Sequence, residues 1–275
     1  MNVTPEPIVP TRPIQGFEDN LRPAKLMIDM YRLLDCADEI QTDGDFVDRL
    51  RDLVKAAATE DLMVVQNELF VGLVREKSGL PKSSLKRATL THLLRQAIVA
   101  SCTALETYLP ALLRVRLPEI IRLKGRDFLT PDNTVREYCQ ELVFKVDEVV
   151  RLIGDDEAPT YISNKLVGLS GFKYLTGSKG IHVVGALLGL DKPWDAIAPH
   201  LGRDRKELVK ALDDCVKRRN DIVHRADRAQ AAPEGEQQAI TFAQAKQGVE
   251  TIGVVCLALE ELVDVRLKEL RQEFK

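Results

Sequence analysis

The stretch from Lys86 to Leu113 constrains the fold most, because it is the longest strongly apolar run at helical spacing in the chain. A helix this apolar needs partners. Two further stripes supply them. Leu208, Val209, Leu212, Cys215 and Val216 recur on one face of a helix opening at Arg203 or Asp204, and Val249, Ile252, Val255, Leu259, Leu262, Val263 and Leu267 follow a capping box made by Thr241 and Gln244. The predicted fold is therefore all-α, a helical bundle whose core is these three helices. Pro110 and Pro118 are expected to kink or end the first of them.

The remaining segments divide around this core. Residues 1–22, with Pro5, Pro7, Pro10 and Pro13 and with Pro23 just beyond, read as an extended arm. Residues 23–85 read as additional N-terminal helices, through Leu26, Met27, Met30, Leu33 and Leu34, then Phe46, Leu50, Leu53, Val54 and Ala57, with Asp61 to Arg75 continuing likewise and a break at Lys77 to Pro81. Residues 86–275 form the principal helical domain. Within it Arg122 to Phe128 reads as a basic turn, Thr130–Pro131 as the start of a helix to Leu152, and Gly154 to Leu201 as the least regular part. The glycines there match neither phosphate-cradling pattern.

Composition narrows the chemistry. A net charge of -3 argues against a protein that coats nucleic acid, yet Arg203 to Arg228 holds nine Lys or Arg against six Asp or Glu. That local excess suits a few phosphates. The five cysteines stand singly, without zinc spacing, so no metal or other cofactor is expected. With no apolar leader and no uncharged run of about 18 residues, the chain reads as cytoplasmic, without a membrane partner.

The chemistry concentrates in LDDCVKRRNDIVHRADR, residues 212–228. Arg219 supplies a permanent, planar cation, and His224 a base that titrates near neutrality. Such a pair is nearly sufficient to cut RNA without a metal: the imidazole takes the proton of a 2'-hydroxyl, and the guanidinium holds the phosphate as charge gathers on it. Asn220 is placed to orient either group. Lys217, Arg225 and Arg228 are the neighbouring candidates for binding RNA. On a regular helix Asn220 and His224 share a face, whereas Arg219 and His224 lie about 140° apart. They meet if the long Arg219 side chain wraps round, if the helix loosens after Val223, or if a second copy across a two-fold axis completes the cleft.

One acid stands out against its surroundings. Glu106 lies in the apolar AIVASCTALETYL, where an unpaired carboxylate is costly to bury, so it is expected to touch Arg219 or Arg218, with Tyr108 nearby as packing or as a hydrogen-bond donor. An exposed Glu at a helix edge is the other reading.

Arg219, Asn220 and His224 near the end of a helix resemble the R-x(4-6)-H motif of the HEPN superfamily, many of whose members are endoribonucleases. Ala104 to Leu109 is similar to the "ALExYL" helix of its RiboL-PSP-HEPN-like branch, and Trp194 ahead of a short apolar helix also fits; the likeness covers Lys86 to Lys275. It implies a HEPN-type bundle, a homodimer with paired motifs at its interface, and metal-independent cleavage of RNA to 2',3'-cyclic phosphate and 5'-hydroxyl ends. It also implies a toxin or antiviral defence effector restrained by an inhibitory or sensor protein. Some HEPN toxins carry a modifiable tyrosine two residues after the histidine; Ala226 stands there. The alternative reading is a non-catalytic HEPN module that binds RNA or protein and dimerises.

Overall fold

The computed structural model describes residues 12–35, 40–125, 136, 137, 139, 141–173, 175–228 and 234–274. In chain order it consists of α1 (Pro13–Leu34), β1 (Ile40–Gln41), α2 (Asp45–Leu53), β2 (Leu62–Gln66), β3 (Val71–Arg75), α3 (Arg87–Lys124), α4 (Val146–Leu152), α5 (Ala158–Val167), α6 (Ser170–Lys173), α7 (Gly177–Leu187), α8 (Pro193–His200), α9 (Arg205–Arg225) and α10 (Phe242–Glu273). Of the described residues 72% are helical and 6% in strands, so the fold is all-α in class.

α3 is the axis of the molecule. It packs against α1, α5, α9 and α10, and Leu94, Ala97, Leu105, Leu109, Leu112, Leu113 and Leu117 are buried among them. It runs on through Pro110 and Pro118, so neither proline ends it. An interior proline costs about 3 kcal/mol, and the burial of so many leucines along one helix outweighs it. α3 also has the length and hydropathy of a membrane span, and 56% of that window is buried in the bundle.

The N-terminal third departs furthest from expectation. Pro13 opens α1 at a position where the missing N–H costs nothing, and Pro23 lies inside the helix. Residues 13–22 are therefore helical, while Pro5, Pro7 and Pro10 lie outside the described residues. Phe17, Leu21, Ala24, Ile28 and Tyr31, spaced by four and three, bury a stripe against α3 and α10. So α1 belongs to the bundle core, and the expected boundary at residue 86 is not a boundary of that core.

Asp61 to Arg75 is not helical. It forms an antiparallel hairpin, Leu62 opposite Arg75 and Gln66 opposite Val71, with β1 on the other edge of β2. The β-branched Val64, Val65, Val71 and Val74 favour the pleated chain, and Asn67 closes the turn by accepting the Leu69 N–H at 2.8 Å.

Three corrections fall from the end of α3 onward. The helix continues to Lys124, which takes Arg122, Leu123 and Lys124 out of the expected basic turn, and Thr130–Pro131 lies outside the described residues. Residues 142–145 are not helical, and α4 starts afresh where Glu148 accepts the Lys145 backbone N–H at 2.7 Å. The span from Gly154 to Leu201, expected to be the least regular, holds α5 to α8. Gly185 serves packing: a Cβ there would lie 2.7 Å from Pro193, so α8 closes onto α7 only because the side chain is missing.

Candidate active site

α9 begins where the Asp204 side chain accepts the Glu207 N–H at 3.0 Å, and it buries Leu208, Leu212 and Cys215 against α3 and α10. The helix stays regular to Arg225. No loosening after Val223 brings the motif together, so within one chain Arg219 and His224 remain about 140° apart around the axis.

Arg219 turns toward α3. Its Nη2 bonds both carboxylate oxygens of Glu106, and its Nη1 donates to Asn220 Oδ1 at 2.9 Å. The two side chains of the pair are about equally half-buried, 20% and 21% exposed, which leaves part of the guanidinium open to solvent. The Glu106–Arg219 contact expected from the sequence is thus present. His224 is exposed, one turn beyond Asn220 on the same face, beside Val223, which is 51% exposed. Lys206, Lys210, Asp213 and Lys217 lie on that face too, at the alternating four- and three-residue spacing of one helix side.

The other expected supporting residues do different work. Arg218 does not reach Glu106. It donates to Asp227 Oδ2 at 2.9 Å and to the Gln238 and Ala239 carbonyls, both at 3.0 Å. Tyr108, two residues beyond Glu106, faces roughly the opposite side of α3, where its hydroxyl lies 2.8 Å from Glu260 Oε2 and ties α3 to α10. Burial, then the neighbouring Cys256 and Glu260, hold its phenol well above the usual value. Among the candidate RNA contacts, Lys217 is exposed, Arg225 pairs with Asp221 on its own helix, and Arg228 Nε donates to the Gly235 carbonyl at 2.8 Å. Arg228 is therefore a loop brace in the first instance.

Sequence reasoning missed the group that fixes the end of α9. Ala226 and Asp227 take positive φ, 48° and 63°, and turn the chain back at once after the motif. Asp227, fully buried, receives Arg95 Nε at 2.6 Å as well as Arg218, and Arg95 also donates to the Gln238 carbonyl at 2.9 Å. An arginine within the apolar face of α3 was the available signal, of the same kind as Glu106. One turn before Glu106 and Arg219, Cys102 and Cys215 bring their Sγ atoms to 4.0 Å. The bond to Cys215, then burial, push the Cys102 thiol up.

Two cavities flank α9. One of about 490 Å³ lies against α10 and is lined by Cys215 and Arg218; the other, of about 650 Å³, lies against α7 and α8. Neither is lined by Arg219, Asn220 or His224. Among the described residues no group of three His, Cys, Asp or Glu is placed to hold a metal ion. No protein-family model matches the chain, and no curated protein or solved structure is significantly similar to it.

Proposed function

We propose that the chain is a metal-independent endoribonuclease of HEPN type that works as a homodimer, with Arg219 of one subunit and His224 of the other meeting at a two-fold axis. The observation that supports it most is the preset Arg219 guanidinium, held by Glu106 and Asn220 at the surface while His224 stands exposed on the adjoining face. A cation fixed before substrate arrives needs no reorganisation when charge develops on the phosphate. His224 takes the proton of the 2'-hydroxyl, the 2'-oxygen bonds to phosphorus, and the bond to the 5'-oxygen breaks as the resulting His224 imidazolium gives that proton to it. The products end in 2',3'-cyclic phosphate and 5'-hydroxyl. The nucleophile belongs to the RNA, so the protein supplies only a base, an acid and a cation.

Exposed Val223 beside His224 suits a subunit contact there, and a two-fold axis would use it from both sides. In the cell such an activity fits a toxin or antiviral effector held in check by a protein partner. One observation favours the second reading, a non-catalytic module that binds RNA or protein: two of the Arg219 nitrogens already have acceptors. The two readings part on one experiment. Purified protein and its His224→Ala variant are incubated with total RNA in excess chelator and the ends mapped. Cleavage with cyclic-phosphate ends that vanishes in the variant supports the nuclease; undiminished cleavage by the variant excludes His224, and tight binding without cleavage by either supports the module.

A further inference from the structure

The cavity of about 650 Å³ between α7, α8 and α9 has the size of a small-ligand site, and its wall is cationic. Lys179 and His182 come from α7, Arg205 and Lys206 from α9, and Trp194 from the first turn of α8 supplies an apolar side. Two helices thus bring four basic side chains to one opening in a chain whose net charge is -3. Of the carboxylates beside it, Asp195 is engaged by one of the wall cations, Arg205, at 2.6 Å, and Asp213 by Ser178, accepting its N–H at 2.8 Å and its hydroxyl at 2.7 Å. Because Asp213 occupies the start of α7, the attraction for an anion comes from the side chains rather than from that helix end. The indole is fixed as a wall by its Nε1, which donates to the Ser178 carbonyl at 3.0 Å.

Lys206 also stands at the head of the exposed face of α9, with Lys210, Asp213, Lys217, Asn220 and His224 further along it, and Lys210 pairs with Asp214 at 3.4 Å. From Lys206 to His224 that face is about 27 Å long at 1.5 Å rise per residue. A free phosphate has no use for such a track, whereas a polyanion has. Resting on the ribonuclease reading, we infer that the cavity grips a phosphodiester segment of single-stranded RNA away from the cut, and that the strand follows the lysine face of α9 from there to His224. The basic side chains take phosphates, and the apolar wall of Trp194 accommodates a base.

The test uses the full chain carrying His224→Ala, so that binding is read without cleavage, and a fluorescein-labelled single-stranded RNA of twelve nucleotides. Fluorescence anisotropy is measured across a range of salt. Lys206→Glu is expected to weaken binding on the order of tenfold and to lower the salt dependence by about one counterion, and Lys179→Ala with Lys206→Ala to do so at least as strongly. Lys25→Glu, an exposed charge on α1, is expected to leave affinity within about twofold. Unchanged affinity and salt dependence in both cavity variants, with circular dichroism showing them folded, would overturn the inference even if the wild type cuts RNA. Adenosine monophosphate displacing the RNA at equal concentration would overturn it as well, making the cavity a mononucleotide site. If instead both cavity variants lose RNA affinity while the wild type never cleaves, the cavity stands and only the nuclease reading falls.

Discussion

Glu106 fixes Arg219 by charge as much as by shape, and a substitution that separates the two is informative. Glu106→Gln keeps a hydrogen-bond acceptor for the guanidinium but removes the ion pair, so cleavage of an oligonucleotide is expected to fall on the order of tenfold to a hundredfold while the fold is retained by circular dichroism. Asp227→Asn strikes a different place. It leaves Arg95 and Arg218 facing a neutral side chain in a fully buried site, and removing one partner of a buried pair costs about 3 kcal/mol or more, measurable as a lower urea midpoint. Of these two acids only Glu106 was legible in the sequence. It interrupts an apolar run, which marks it as needing a partner, whereas Asp227 sits in a polar stretch where a carboxylate looks unremarkable. Of the two arginines offered to Glu106 it is Arg219 that meets it, and Arg218 and Tyr108 face elsewhere because residues one or two positions apart on a helix point different ways.

At the scale of elements, the close approach of α9 and α10 depends on Gly248. A Cβ there would lie 2.9 Å from the Cys215 Sγ, so Gly248→Ala is expected to destabilise the protein by about 1–3 kcal/mol through overpacking, read by thermal or urea unfolding. α4 is joined to α5 by charge. The Lys165 hydrogen bond first, then Tyr161 and the Lys145 N–H, lower the Glu148 carboxyl from an ordinary 4.5 to about 2. A lowered carboxyl stabilises the fold above its unfolded value, and that contribution is lost as pH falls from about 4.5 through about 2. Glu148→Gln is therefore expected to lower the melting temperature at pH 6, and the gap from the wild type is expected to close as the medium is acidified through that window. The long helices and the Thr241–Gln244 box were readable, the box with bonds of 3.0 and 3.2 Å in both directions. The hairpin of β2 and β3 was not. Each strand is five residues, too short for an apolar run to distinguish a period of two from one of 3.6, and only its valines argued for strand.

For the whole molecule, the consequential difference from the sequence is that α1 is part of the core. Truncation at residue 86 would strip Phe17, Leu21, Ile28 and Tyr31 from α3 and α10, and the piece 86–275 is expected to be insoluble or molten, without a cooperative thermal transition. The bundle in turn determines what a single copy can do. It points Arg219 at α3 and leaves His224 facing outward, so the proposed cleavage requires two copies. The most direct measurement is complementation between two inactive variants. Arg219→Ala and His224→Ala proteins are assayed separately and after mixing under conditions that let subunits exchange, with oligonucleotide cleavage as the readout. A cleft composed across the two-fold axis places one intact Arg219 beside one intact His224 in each mixed dimer, so cleavage is expected to return to about a quarter of the wild-type rate. Two variants that stay inactive together, although subunit exchange is verified, would contradict the composite site.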